Sequence, residues 1–482
     1  MTEELALVQK VWNYAHVLRD AGVSAGEYVE QITCLLFLKM DDERSKGLGE
    51  PSVIPAKYRW QSFRPLKGEA LGAAYTKALE ELGRRDGLVG ALFQRARNAI
   101  EDPASLQKLV NLINEEDWLP LPVDVKGAIY EGLLERNAAE VKTGAGQYFT
   151  PRPLIDAMVR VVDPQPGKTV CDPACGTGGF LLKAYEHMKA NPRAVDKGVA
   201  AKLKRETFTG YDIVPGVVRL AAMNLYLHGI GDGECPIIRA DALAADPGRK
   251  WNYVLANPPF GRKQSYKVFT GDGTIETERE TYERQEFIVT TSNKQLNFLQ
   301  HIMWILAEDG NAAVVMPDNV LFEAGAGERI RKKLLDGYDF HTLLRLPTGI
   351  FYKQGVKANV LFFDRRHAAE TPWTRELWIY DFRTNQNFTL KERPLRREHL
   401  DDFVACARLA ERRVRKENER FRRFSYDELI KRDKLNLDIF WLKDASLEGP
   451  DSLPPPDEIA AEIVESLEAA LERFRSVAAR LG

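Results

Sequence analysis

The sequence predicts an α/β protein built on a doubly wound sheet, with a helical domain in front of the sheet and a helical extension behind it. Three observations carry that reading. Between residues 168 and 363, short apolar runs of strand length alternate with amphipathic stretches of helical spacing, the pattern of consecutive strand-helix units. Residues 1–120 show helical spacing with no strand-like run among them. After a proline-rich stretch at 449–456, Ile463, Leu467, Ala470, Phe474, Val477 and Leu481 step by four, three, four, three and four, the period of a coiled-coil seam. At 482 residues the chain exceeds one ordinary core, since domains hold about 100 to 200 residues. The expected division is 1–135, helical; 136–370, the sheet domain; 371–448, mixed and basic; and 449–482, a proline linker and a coiled-coil-like helix.

Taken in order, Leu5, Val8, Trp12, Ala15 and Leu18 make one helical face, and Tyr28, Ile32, Leu35, Leu36 and Leu38 a second. Turn formers at 47–55 and 58–65 interrupt before helical spacing returns at 70–82 and 88–98. No side-chain group in this part suggests chemistry, so a packing or docking role is expected. The run GAGQYFTPRP at 144–153 then breaks the pattern as a structured loop. A strand at 168–172 leads into a glycine-rich turn at 173–179, and Phe180, Leu181, Ala184, Tyr185 and Met188 continue as a helix whose free N–H groups face back at the turn. Strands follow at 208–212, 237–241 and 253–257, with a helix at 215–228. Residues 261–290 are polar and rich in both charge signs, as a mobile loop would be. A helical stripe, Leu296, Leu299, Ile302, Met303 and Leu306, is expected to stop at Gly310, and strands at 312–316, 341–346 and 358–363 close the series. Beyond Arg365 the pattern weakens, and residues 408–423 hold eight Lys or Arg against three Glu.

Composition bounds the function. The apolar fraction of 44% and charged fraction of 29% are those of a soluble globular chain, and no run approaches the about 18 apolar residues of a membrane span. The first ten residues lack the charged-then-apolar pattern of a secretory signal, so a cytoplasmic location is expected. Five cysteines without a paired Cys-x-x-Cys argue against a disulfide framework or zinc site, and the seven histidines form no metal-binding spacing, so no metal is assigned. A net charge of −2 is a poor match to a protein that grips DNA alone, so a nucleic-acid substrate would call for a partner.

The residues that carry chemistry sit at strand ends. Asp172, Asp212, Asp241 and Asn257 close four successive strands, and in a doubly wound sheet such ends line one crevice. The turn after Asp172 lets backbone approach a ligand closely but lacks the spacing of a dinucleotide or phosphate loop. A ligand with amine, carboxylate, ribose and adenine fits better: Asp172 for an ammonium, Asp212 for ribose hydroxyls, Asp241 for an adenine edge. At Asn257-Pro258-Pro259-Phe260, two prolines end the strand and stiffen the loop. An exocyclic amine can donate to the Asn257 oxygen and the Pro258 carbonyl while its ring stacks on Phe260. An Asn-Pro turn that merely ends a strand is the structural alternative. Asp212 has one as well, since an acid there also serves as a turn former or helix cap.

These stretches resemble the amino-methyltransferases that use S-adenosylmethionine, and among them the methylation subunits of type I restriction-modification systems. DPACGTGGF at 172–180 resembles the cofactor motif, NPPF at 257–260 the adenine-N6 catalytic motif, and GQYFTPR at 146–152 the upstream cofactor loop. The regions 28–42 and 436–441 carry weaker likeness to the family's helical N-terminal domain and C-terminal docking region. The resemblance implies a methyltransferase sheet. It implies that Gln147, Tyr148, Phe149, Thr150 and Pro151 border the methionine end of the cofactor, that Asp172, Pro173, Gly176, Thr177 and Gly178 cradle the same end, that Asp212 takes the ribose, and that Asp241 and Ala242 take the adenine. Ile213 and Leu243 are candidates to sandwich rings, with core packing as the alternative. Asn257, Pro258, Pro259 and Phe260 would act on an adenine flipped out of duplex DNA. The implied partners are double-stranded DNA, a specificity subunit and a second copy of the chain, with a restriction subunit as an optional addition. A standalone DNA adenine methyltransferase, and a methyltransferase for protein glutamine or RNA, are the competing functions.

Overall fold

The computed structural model describes residues 3–24, 27–47, 49, 51–118, 150–192, 196–231, 234–260, 265–269, 275–279, 282–351, 355–390 and 392–443, and positions 460, 464, 467, 468 and 471. Gln147, Tyr148, Phe149 and the boundary expected near 135 lie outside them. The strands are β1 Val170–Asp172, β2 Phe208–Asp212, β3 Ile237–Arg239, β4 Trp251–Ala256, β5 Ser265–Phe269, β6 Ile275–Arg279, β7 Leu306–Pro317, β8 Tyr338–Arg345, β9 Ala358–Arg365, β10 Glu376–Asp381 and β11 Phe421–Ser425. Nine of them form one sheet in the order β11-β10-β8-β9-β7-β4-β1-β2-β3. β3, β2, β1, β4 and β7 run parallel, β9 runs antiparallel between β7 and β8, and β11 is antiparallel at the edge.

The chain starts this sheet at β1, winds outward through β2 to β3, then returns to β4 on the other side of β1. Strand order therefore reverses between β1 and β4, and a crevice opens at their C-terminal ends. Alternation along the buried strands feeds two cores. Tyr253 and Leu255 of β4 join the larger core, while Val254 and Ala256 join the other with Leu299, Met303 and Leu334. The larger core also contains Trp12, Ile32, Leu36, Leu79 and Leu109, so the N-terminal helices are continuous with the sheet's own packing. Helix Tyr28–Gly47 meets helix Pro215–Leu227 through Glu30 and Arg219, 2.8 Å apart, and through the rings of Phe37 and Tyr226.

Several sequence expectations change. The helix that begins at Lys294 ends at Ile305, and β7 takes over at once, so Gly310 is not a helix stop. A Cβ at Gly310 would lie 2.8 Å from the Asn252 carbonyl, and the β4–β7 register shifts beside it: Gly310 serves a bulge. Residues 261–290 contain an antiparallel ribbon, β5 with β6, instead of loop alone. Its sequence signal is the alternation in Ser265–Phe269. The sheet also continues past residue 370 through β10, paired on both sides, and β11, its short edge strand.

The basic stretch faces inward at several places. Arg412 bonds Asp339 and Asp364, Arg415 bonds the carbonyls of His341 and Ala407, and Arg420 bonds those of Asp381 and Thr384. Those charges satisfy buried acceptors and add nothing to a phosphate-binding surface. The segment 434–441 is likewise held by the sheet domain: buried Arg331 donates to the carbonyls of Lys434 and Leu435, and Arg345 to that of Ile439. Leu435, Leu437 and Ile439 are buried in alternation. In the C-terminal extension the described positions are helical, and Val464, Leu467 and Leu471 are at least half exposed. Ile463, Ala470, Phe474, Val477 and Leu481 of the expected seam lie outside the described residues.

Candidate active site

Asp241, Asp212, Asp172 and Asn257 lie in that order across the neighbouring strand ends of β3, β2, β1 and β4. Asp172 is buried. Its Oδ1 accepts the Ala174 N–H at 3.0 Å, and its Oδ2 has no hydrogen-bond partner among the described residues. Burial pushes this carboxyl up to about 8. Asp212 is raised too, by burial; its Oδ1 accepts the Val214 N–H at 2.9 Å, where helix Pro215–Leu227 begins.

The turn between Asp172 and helix Gly179–Lys189 is shaped by backbone constraints. Gly176 (φ +52°) and Gly178 (φ +81°) take the left-handed region that glycine adopts without strain. A Cβ added at Gly176 would meet no atom of the described residues within 4 Å. The turn is held from outside: Cys175 N–H bonds the Tyr211 carbonyl at 2.9 Å, and buried Asn224 donates to the Thr177 carbonyl at 3.0 Å. Gly210 in β2 permits this approach, because a Cβ there would lie 2.9 Å from the Cys175 sulfur. Cys171 and Cys175 are buried, and burial raises both thiols far above their ordinary range, as packing residues.

At the end of β4, Asn257 is buried and its Nδ2 donates to Thr150 Oγ1 at 2.8 Å, while its Oδ1 has no hydrogen-bond partner among the described residues. One of the two amide N–H donors goes to Thr150, and the oxygen is available as an acceptor for a ligand. Thr150 and Pro151 come from the upstream loop, 107 and 106 positions before Asn257, and the helix Arg152–Val162 starts directly after Pro151. Pro258 is buried and Pro259 half-buried. The Phe260 ring packs edge-on against Phe351, with centroids 5.9 Å apart.

Phe351 was not singled out by sequence. It reaches Phe260 from the loop after β8, whose Gly349 (φ +79°) is obligatory: a Cβ there would fall 1.9 Å from the Phe388 carbonyl oxygen. Pro347-Thr348-Gly349 reads as a turn in the sequence, but nothing in the sequence shows its partner. On the other flank, Asp241 Oδ1 accepts the Leu243 N–H at 2.9 Å and Oδ2 accepts the Tyr282 hydroxyl at 2.8 Å. Ala242 is buried, Leu243 is fully buried in the core, and Ile213 is half exposed beside Asp212. No group of three or more His, Cys, Asp or Glu side chains arranged to hold a metal occurs among the described residues.

Comparison with known proteins fits this geometry. A family model described as N-6 DNA Methylase matches residues 122–444, and one described as HsdM N-terminal domain matches residues 7–113. The methylase subunit of the type I restriction enzyme EcoKI, from Escherichia coli (strain K12), is 38% identical over 99% of this chain and 95% of its own. The crystal structure of the EcoKI M protein superposes with a TM-score of 0.54 at 34% identity, covering 99% of this chain and 96% of that one. A chain from a structure on complex assembly and conformational transition of the type I R-M system superposes with a TM-score of 0.71 at 25% identity, covering 99% and 98%. With two family models spanning most of its length and a near full-length relative at this identity, the chain belongs to the N-6 DNA methylase family.

Proposed function

We propose that the chain transfers a methyl group from S-adenosylmethionine to the N6 amine of an adenine flipped out of duplex DNA, as the modification subunit of a type I restriction-modification assembly. The observation that carries this reading is the buried Asn257 carboxamide, whose nitrogen is spent on Thr150 and whose oxygen is kept as an acceptor.

The residues present fit the cofactor. Asp172 offers a buried carboxylate oxygen with no hydrogen-bond partner among the described residues, and Gly176 leaves space where any other residue would place a side chain. Bound there, S-adenosylmethionine would supply a methyl group made electrophilic by its sulfonium. Asp172 would hold the ammonium, with Pro173, Gly176, Thr177 and Gly178 presenting backbone to the methionine end and Thr150 and Pro151 bordering it. Asp212 would bond the ribose hydroxyls, and Asp241 with Ala242 would read the adenine. On the DNA side, Asn257 Oδ1 and the Pro258 carbonyl accept the hydrogens of the target amine, which orients the nitrogen lone pair without a strong base. Pro259 keeps that platform stiff, and Phe260 replaces the stacking the base loses on leaving the duplex.

Cofactor affinity is expected to depend on pH with a definite sign. Because burial pushes the Asp172 carboxyl up to about 8, it is mostly protonated at neutral pH and must ionise to hold an ammonium. Affinity for S-adenosylhomocysteine should therefore climb with pH, roughly tenfold per unit below 8, and level off above it. Calorimetry from pH 6 to 9 on wild type and Asp172→Asn separates this group from the ligand's own titration, which both proteins share. Identical profiles would remove Asp172 from the ammonium site.

The partners proposed are double-stranded DNA, a specificity subunit, a second copy of this chain and, in the complete assembly, a restriction subunit, acting in the cytoplasm. The net charge of −2 and the inward-facing arginines support reliance on a partner for DNA grip. Near full-length likeness to a methylase subunit supports it over a standalone enzyme. We expect deletion of residues 456–482 to leave cofactor binding intact while abolishing co-purification with the specificity subunit and N6-methyladenine at a bipartite site. Methylome sequencing that shows the same sites modified by the truncated chain, or by the chain alone, would count against the docking role.

A further inference from the structure

The proposed function uses the Asp241 carboxylate but not the residue that orients it. The turn that follows β3 fixes only one of its oxygens: Oδ1 accepts the Leu243 N–H at 2.9 Å, and the Ala244 N–H closes the turn on the Asp241 carbonyl at 3.1 Å. The second oxygen is reached from 41 positions along the chain, by the Tyr282 hydroxyl at 2.8 Å. A carboxylate held at one oxygen still pivots about its broad terminal torsion; held at both, it has one orientation.

Tyr282 is itself well anchored. It opens a strap that emerges just after β6, and the strap's Arg284, only 5% exposed, closes over the same turn. Arg284 Nη1 donates to the Ala242 and Leu243 carbonyls at 3.4 and 3.3 Å and to His301 Nδ1 at 3.0 Å, while its Nε bonds Glu286 at 2.7 Å. Burial and the neighbouring guanidinium hold His301 down at about 3, so its ring is neutral and can accept that bond. Farther on, Gln300 clasps Val289 through both backbone groups, at 2.9 and 3.1 Å. The strap is thus fastened to the Asp241–Leu243 turn on one side and to helix Lys294–Ile305 on the other.

We propose that Tyr282 is a positioning residue for cofactor recognition: by donating to Asp241 Oδ2 it locks the carboxylate in the orientation that accepts the adenine amine, and so makes the pocket selective for an amine over a carbonyl at that edge. The proposal rests on the adenine role given to Asp241 above. A carboxylate fixed as an acceptor binds an N–H donor and repels a carbonyl oxygen, whereas one free to turn away tolerates both.

The test compares S-adenosylhomocysteine with S-inosylhomocysteine, which carries a carbonyl where adenine carries its amine, by calorimetry on the full-length chain. Wild type should prefer the adenosyl ligand at least tenfold. Tyr282→Phe, which removes one oxygen from a half-buried ring, should cut that preference about fivefold, and Tyr282→Leu should do the same. Asp241→Asn should cut it at least as far, and adding Tyr282→Phe to Asp241→Asn should change nothing more. A merely structural role would lower affinity for both ligands together and leave their ratio alone. If Asp241→Asn collapses the preference while both Tyr282 variants keep the wild-type ratio, or if the effects of the two sites multiply, the positioning role is wrong. If Asp241→Asn also keeps the wild-type ratio, the adenine assignment of Asp241 fails, and Tyr282 falls with it.

Discussion

Asn257→Ala is expected to lower the rate of methyl transfer about 10³-fold, the scale seen when one preorganised hydrogen-bonding group is removed from a reacting centre. The affinity for S-adenosylhomocysteine should stay within about threefold of wild type, because Asn257 is assigned to the target amine and not to the cofactor. The loss has two sources. Oδ1 no longer accepts from the amine, and Thr150 Oγ1, which Asn257 Nδ2 meets at 2.8 Å, loses its donor at the mouth of the cofactor loop. Asn257→Asp separates them: it keeps acceptor oxygens for the amine but cannot donate to Thr150 unless protonated. Single-turnover rates with a saturating specificity subunit are the measurement. Wild-type turnover by Asn257→Ala would exclude the carboxamide from the chemistry.

Gly176→Val should abolish measurable cofactor binding, a loss of at least about 100-fold, while the apo protein still folds. Two effects act together. The backbone at Gly176 has φ +52°, which a β-branched residue adopts only with strain. The new side chain would also enter the space in front of the turn, since no atom of the described residues lies within 4 Å of its Cβ position. Gly176→Ala carries milder strain and a smaller volume, so it should fall between the two proteins. Calorimetry gives the affinity, and thermal unfolding of the apo proteins separates strain from occlusion. Unchanged affinity in Gly176→Val would place the cofactor elsewhere.

The sequence by itself determined the strand ends and the residues on them. Short apolar runs alternating with helical spacing located β1, β2, β3, β4, β7, β8 and β9, and the topological rule for doubly wound sheets places Asp172, Asp212, Asp241 and Asn257 on one edge. Those features are local: a strand, a turn and the residue between them are encoded within about ten positions. The family motifs are local in the same way.

Tertiary structure alone decided what each of those side chains does with its second hydrogen-bonding group. Asn257 spends its nitrogen on Thr150, 107 positions away, and Asp241 spends its second oxygen on Tyr282, 41 positions away. Phe260 meets Phe351 because Gly349 lets the loop after β8 close against Phe388. Arg412, Arg415 and Arg420 of the basic run, which sequence shows only as charge, turn inward to carboxylates and carbonyls, while Arg413, Lys416, Arg422 and Arg423 stay exposed. None of these pairings has a period or a spacing, because each depends on where two distant segments dock once the cores are packed. Burial then makes them matter: a polar group inside the protein must find a partner or be left for a ligand. Which groups stay without a partner among the described residues, here Asp172 Oδ2 and Asn257 Oδ1, is set only when every other contact has formed.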